Sequence, residues 1–181
     1  MTERKTQRAH VSVAALLTRI PVGLLDVLRP SSVSHPVLGV LHRTWGKWRG
    51  QIQLPGSPSA SLLVPGPRSG PDPRAVALVA ELPLWYPDLQ PEIGQRLRAH
   101  YRPYWDAAAR HGTSAPDADL PRLLAPGDVW AEVVHMSVEV APYAARDEIL
   151  ISYGLAWTDR HVVGALIRDW RLIAFLGEEG D

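Results

Sequence analysis

The feature that most constrains the fold is a series of strand-like segments between Asp128 and Leu176. Apolar residues take every second position from Ile149 to Leu155, and a similar alternation precedes this stretch. A period of two is typical of half-buried β-strands, whose side chains point to alternate faces of a sheet. Apolar segments at 162–167 and 172–176 follow, each after a short charged stretch. The pattern predicts a C-terminal antiparallel β-meander.

The first half of the chain also contains strand-like segments, followed by central helices. Strands are predicted at 37–41, 47–54 and 61–64, with Gly46 in a turn between the first two. Asp72 and Pro73 are typical of a helix N-terminus, and Pro83 should end that helix. A second helix should begin near Pro91, and Pro103 should kink or divide it. The expected fold class is α+β: an antiparallel sheet with a C-terminal β-meander, packed by two or three central helices, plus an N-terminal helical appendage.

The N-terminal part of the chain has a different character. An apolar stretch from Val11 to Leu28 has helical spacing, but Pro21 should kink it. Charged residues and the lack of a small-residue cleavage site argue against a signal peptide or a membrane span. We therefore expect residues 1–35 to form an amphipathic helical appendage, and residues 36–181 to form a single domain.

Composition narrows the classes of partner. The chain has 181 residues, and its nineteen basic and nineteen acidic side chains cancel. A duplex-DNA binder usually has a basic excess, so nucleic acid is not expected as a partner. A cluster of arginines is typical of a solvated helix face: Arg96, Arg98, Arg102 and Arg110. With no cysteine, the chain has no thiol chemistry, and a cytoplasmic location is expected. No cofactor and no metal are expected.

The predicted turn between the last two strands is unusual. A two-residue hairpin turn favours Asp-Gly, because the second residue needs a positive φ. This chain has Trp170 there, between Arg168 and Arg171. Tryptophan flanked by arginine is also typical of the residues that dominate protein interfaces. Trp170, Arg168 and Arg171 are therefore the candidate partner-binding residues, and an equal alternative is that Trp170 folds back onto the sheet.

A second distinctive segment runs from Trp157 to His161, between two predicted strands. Asp159 could accept a hydrogen bond from His161 or from nearby backbone amides, and so fix a tight connection above Trp157. In a catalytic alternative, Asp159 would orient His161 as a base, with His135 as a further member of the site. The structural interpretation is favoured, because the sequence shows no nucleophile motif, no phosphate-binding loop and no metal-binding pair of histidines.

The Trp-x-Asp-x-His element resembles one found in bacterial domain-of-unknown-function families. Their members often end in a strand-turn-strand element with the sequence Trp-Asp-x-Glu-His-Gly. The stretch Trp45–Gly50 and the Tyr101–Trp105 helix are similar in placement, so the resemblance spans Pro36 to Gly177 in the order of elements. Three positions depart from the pattern: Arg160 replaces Glu, Val162 replaces Gly, and Trp170 stands where Gly is usual. The resemblance implies an immunity or accessory protein of a bacterial toxin or defence system.

These observations favour a non-enzymatic, protein-binding domain whose partner is another protein. The motivating features are the missing catalytic motif, the seven tryptophans and the neutral charge. One alternative is a hydrolase or transferase that uses Asp159, His161 and His135. Another is a structural subunit of a homo-oligomer that docks through its N-terminal helix.

Overall fold

The structure is a computed structural model of the chain. The structure describes residues 31–57, 59–111, 126–140, 147–157 and 162–177. These residues belong to a compact unit that begins at Ser31. The predicted N-terminal appendage, residues 1–35, lies almost wholly outside the described residues and stays a prediction. Among the described residues, no helix is both long enough and apolar enough to span a lipid bilayer.

Eight strands form one sheet, and their order across the sheet is their order along the chain. The elements are β1 (Ser32–His35), β2 (Gly39–Thr44), β3 (Lys47–Ile52), β4 (Ala60–Val64), α1 (Pro73–His111), a 3₁₀ helix (Pro126–Glu132), β5 (Val133–Val140), β6 (Glu148–Leu155), β7 (Val162–Arg168) and β8 (Arg171–Leu176). Neighbouring strands are antiparallel except β4 and β5, which are parallel. A parallel pair requires a crossover connection, and here that connection includes α1. The last four strands form the meander that the alternating pattern predicts.

The expected fold class is wrong in its helices. Two or three central helices were predicted, whereas the described residues contain a single α-helix, Pro73–His111, which is 39 residues long. It continues through Pro83, Pro87, Pro91 and Pro103. The first three prolines recur every fourth residue, so their missing N–H groups lie along one side of the helix. Another side is continuously buried, with Leu82, Tyr86, Leu89, Ile93 and Leu97 at most 5% exposed. Packing of this buried side maintains the helix where local sequence predicts a break.

The predicted helix start is confirmed. Asp72 accepts hydrogen bonds through Oδ1 from the backbone N–H groups of Arg74 and Ala75, at 2.8 and 3.2 Å. These are two of the N–H groups that have no partner within the helix itself. The helix therefore begins at Pro73 because Asp72 caps it.

The first predicted strand, 37–41, is misplaced. The structure has a turn at residues 36–38, between β1 and β2. His35 Nδ1 accepts hydrogen bonds from the backbone N–H groups of Val37 and Leu38, both at 3.3 Å. Gly39 follows with φ +67°, a conformation that glycine adopts without steric cost. The pattern of apolar residues missed this turn because a histidine side chain, rather than an Asn or Asp, satisfies its backbone.

The core lies between α1 and one face of the sheet. Trp48, Leu62, Val138 and Ile151, from four different strands, are fully buried there. The indole N–H of Trp48 donates to the carbonyl of Pro67 at 3.0 Å, which satisfies its only polar group.

An aromatic cluster joins the helix to the sheet. Trp130 from the 3₁₀ helix makes edge contacts with Tyr86 of α1 and Tyr153 of β6, with ring centroids 6.4 and 5.8 Å apart. Burial raises the pKa of the Tyr86 hydroxyl above its ordinary value of 10, and raises that of Tyr153 well above it. Ser57 donates to the Tyr86 hydroxyl at 3.2 Å. The buried Tyr153 hydroxyl lies beside that of Tyr86 but is outside hydrogen-bonding geometry.

Candidate protein-interaction surface

Two tight hairpin turns each contain a tryptophan. Trp45 and Gly46 connect β2 to β3, and Asp169 and Trp170 connect β7 to β8. All four residues have positive φ: 52° and 84° in the first turn, 48° and 57° in the second. A two-residue turn with both φ values positive matches the right-handed twist of the flanking strands, which explains the backbone conformation. It does not explain tryptophan, because a bulky L-residue is disfavoured in this region.

Trp45 projects into solvent, with 93% of its surface exposed. Its side chain therefore makes little contact within the domain that could offset the cost of the left-handed backbone. The neighbouring Lys47 is fixed by an ion pair with Glu139 of β5. A strained, exposed aromatic residue on an anchored hairpin is an observation from which a contact function can be inferred.

Trp170 is partly buried and packs against the helix. Its ring stacks on that of Trp85 in α1, with centroids 5.6 Å apart and planes 11° apart. This lies within the range of favourable offset stacking. The Trp170 side chain therefore folds back onto the domain, as the alternative interpretation expected, and is not a free anchor at the tip of the turn. Trp85 remains 41% exposed and the adjacent Leu84 76% exposed, so the surroundings of Trp170 are still apolar and accessible.

The two arginines beside Trp170 differ in their surroundings. Arg168 is directly opposite Glu148 across β6 and β7, and the two side chains form an ion pair. Glu148 is only 4% exposed, so Arg168 balances a buried charge and has a structural role. Arg171 is exposed at the start of β8 and remains accessible to a partner. Trp170 stacks on Trp85 and Arg168 pairs with Glu148, so Arg171 is the predicted partner-binding residue with the smallest structural role in the domain.

Both tryptophan turns lie at the same end of the sheet. The strands β2, β4, β5 and β7 run in one direction, as their pairing shows, so their C-terminal ends lie together. We call this the tryptophan end, defined by Trp45–Gly46, Asp169–Trp170 and Asp147. It also includes the start of α1, since Arg74 and Asp147 form an ion pair at 3.1 Å. The sequence alone did not identify Trp45 as a site residue, although Gly46 placed it in a turn.

The Trp157 segment has a structural role in the part that is described. Trp157 is 7% exposed, and its indole N–H donates to His100 Nδ1 in α1 at 3.4 Å. Its ring makes an edge contact with Tyr101, with centroids 5.0 Å apart. Its burial agrees with the expectation that Trp157 packs beneath the connection between β6 and β7. Asp159 and His161 lie outside the described residues, so the clasp above it stays a prediction.

The catalytic alternative finds no assembled site among the described residues. His135 is exposed on β5, opposite Gly154 of β6. Its proposed partners, Asp159 and His161, lie outside the described residues. Within the parts of the chain that the structure describes, no three His, Asp or Glu side chains are grouped so that they could hold a metal ion.

Comparison with known proteins adds no functional information: no protein-family model, curated protein or solved structure matches this chain. The resemblance to bacterial domains with a C-terminal Trp-Asp-x-Glu-His-Gly element therefore stays a prediction.

Proposed function

We propose that this chain is a non-enzymatic protein-binding domain that contacts its partner through the tryptophan end. The observation that carries the proposal is Trp45, which is 93% exposed in a left-handed backbone conformation. Asparagine or glycine would form the same turn at lower free energy. Since the domain gains no packing from the Trp45 side chain, the compensating contact is made outside the domain.

The composition of the tryptophan end supports the same proposal. Tryptophan and arginine are the residues most enriched among those that dominate binding energy at interfaces. Arg171 and the accessible edge of the Trp85–Trp170 pair provide a second apolar and basic area beside the last hairpin. In this proposal, Trp45 makes the main contact with the partner. Arg171 and Trp85 make a second contact.

The biological setting of the proposal comes from the resemblance alone. An immunity or accessory role in a bacterial toxin or defence system would need a stable contact surface and no catalytic centre. The proposed surface meets this requirement through its exposed tryptophan. On this proposal, the protein partner is a toxin or a defence protein.

The test compares the full chain with a Trp45→Asn variant. Both are used to capture partners from a lysate of the host cell, and the partner recovered is purified and titrated against each. Loss of a tryptophan that dominates an interface typically costs 2 kcal/mol or more, so we expect an affinity about 30-fold lower for the variant. The control is Val134→Asn, because Val134 is 68% exposed but lies near the start of β5, at the opposite end of the sheet. Unchanged affinity for Trp45→Asn, or an equal loss for Val134→Asn, would show that the tryptophan end is not the contact surface.

A further inference from the structure

A shallow open groove lies on the face of β2 and β3 that points away from α1. Its volume is about 710 Å³, and its lining includes Val37, Val40, His42, Arg49, Gln51 and Ser59. Trp48 and Ile52 of β3 are buried in the core, so the alternate residues Arg49 and Gln51 point to the opposite face. The groove is thus separate from the core and open to solvent.

The ionisable side chains that line the groove are all basic. His42 and Arg49 are directly opposite each other on neighbouring antiparallel strands. None of the ten lining residues is acidic, and neither His42 nor Arg49 forms an ion pair within the described residues. Two basic side chains in a directly opposed pair repel each other when both are charged. An anionic group bound between them would remove that repulsion.

The rest of the lining is suited to an extended peptide rather than to a compact ion. Val37 and Val40 are 62% and 51% exposed and form an apolar wall. Gln51 and Ser59, which are hydrogen-bonded to each other at 2.7 Å, present polar groups on the other side. An extended chain that alternates acidic and apolar residues places one kind of side chain on each of its faces. Such a segment can set its carboxylates against the basic pair and its apolar side chains against the valines.

We infer that this groove binds an acidic, extended segment of the partner protein, with carboxylates between His42 and Arg49. The inference rests on the proposed function, in that the occupant belongs to the protein bound at the tryptophan end. The groove and Trp45 share the β2–β3 hairpin, and His42 precedes Trp45 by three residues. At roughly 3.3 Å per residue, three strand positions extend about 10 Å, which an extended segment of about three or four residues spans. The His42–Arg49 part of the groove is therefore close to the tryptophan end, whereas Val37 and Ser59 lie toward the other end of these strands.

The test measures the affinity of the full chain for fluorescein-labelled Glu-Val-Glu-Val-Glu-Val by fluorescence anisotropy at low salt. The comparison peptides replace every Glu with Ser or with Lys. We expect the acidic peptide to bind at least fivefold more tightly than either, and its affinity to fall as salt is added. Arg49→Gln should lower this affinity about fivefold, whereas Arg96→Gln, at an exposed arginine of α1 outside the groove, should leave it unchanged. Equal binding of the three peptides, or equal losses for the two arginine variants, would overturn the inference.

Two further variants distinguish this inference from the proposed function. Arg49→Glu should reverse the preference, so that the Lys peptide binds more tightly than the Glu peptide; a general loss of both would count against the groove. Trp45→Asn is titrated with the native partner, because the proposed function assigns that contact to the turn. If the acidic peptide binds as expected but Trp45→Asn does not weaken the native partner, the proposed function fails and the groove stands. If the reverse holds, the groove fails alone.

Discussion

At the scale of single residues, Trp45 and Trp170 share a costly backbone conformation but differ in what their side chains gain. A left-handed conformation costs an L-residue about 1–2 kcal/mol relative to the right-handed one. Trp170 recovers this through its stack on Trp85, whereas the exposed Trp45 side chain does not. Stability alone therefore accounts for the second tryptophan and not for the first.

This difference predicts opposite effects for the same substitution. Trp45→Asn should raise the free energy of unfolding by about 1 kcal/mol, because asparagine tolerates a positive φ. Trp170→Asn should lower it by about 1–2 kcal/mol, because the lost burial and stacking exceed the relief of backbone strain. Urea unfolding of both variants and the wild-type chain measures the two changes. A loss of stability in Trp45→Asn would show that this side chain supports the fold after all.

Sequence reasoning could recognise only one of these two positions. Trp170 was conspicuous because it stands where a hairpin turn needs glycine. Trp45 was not, because Gly46 already fills the second position of its turn. Whether a turn residue is covered depends on distant parts of the chain, here Trp85 in the helix. The exposure that distinguishes the two tryptophans could not be derived from local sequence for that reason.

At the scale of elements, α1 shows how tertiary packing overrides local rules. Each interior proline removes one backbone hydrogen bond, and the prediction of two or three helices followed from that rule. Pro87, Pro91 and Pro103 are exposed, so the carbonyl groups that lose a partner lie on the side nearest to water. The buried side keeps its apolar contacts from Ala75 to Trp105. The start at Asp72 was predictable because a cap depends on adjacent residues, whereas the continuity depended on the sheet.

Gly94 marks the place where α1 meets the 3₁₀ helix. It is buried, and a Cβ atom there would lie 3.4 Å from Trp130 Nε1, which is ordinary van der Waals contact. Gly94→Ala should therefore fit, and should raise the free energy of unfolding by about 0.5–1 kcal/mol through the higher helix propensity of alanine. Gly94→Leu should lower it by about 1–3 kcal/mol, because the larger side chain displaces Trp130. Thermal unfolding of the pair tests this packing. A gain for both variants would mean that Trp130 does not pack closely on the helix.

At the scale of the whole molecule, the buried tyrosines connect stability to pH. Tyr86 and Tyr153 have folded-state pKa values above their ordinary value of 10, chiefly because of burial. The unfolded chain loses these protons near pH 10, while the folded protein holds them to higher pH. Their contribution to stability is therefore complete below pH 10 and is lost as the pH rises from 10 through the folded-state pKa values.

Tyr153→Phe isolates this contribution. The Tyr153 hydroxyl has no hydrogen-bond partner in the described residues, so its removal should not lower the free energy of unfolding at pH 7. Above pH 10 the variant should become progressively more stable than the wild-type chain, because phenylalanine has no proton to lose. Urea unfolding at pH 7 and at several values above 10 measures the difference. Parallel pH curves, or a loss above about 1 kcal/mol at pH 7, would contradict the assigned environment of Tyr153.

The C-terminal half of the sheet was predictable because its strands are neighbours in sequence and alternate with a period of two. The parallel pairing of β4 with β5 was not, because Ser61 and Ser137 meet across a long helical connection. For the candidate surface, the sequence indicated that tryptophan and arginine would take part, but not which of them lie together. Which tryptophans share one end of the sheet follows from the direction of every strand, and hence from the complete topology.

The agreement between chain order and sheet order has a practical consequence for engineering. No strand of the second half is inserted between strands of the first, since β4 and β5 form the only junction between β1–β4 and β5–β8 in the described sheet. A single break in the connection between His111 and Pro126 would thus leave two fragments, each with four adjacent strands already in order. Such fragments could be attached to two separate proteins and made to reassemble the domain when those proteins meet. The fold is in this sense a natural candidate for a split reporter, with the tryptophan end divided between its two pieces.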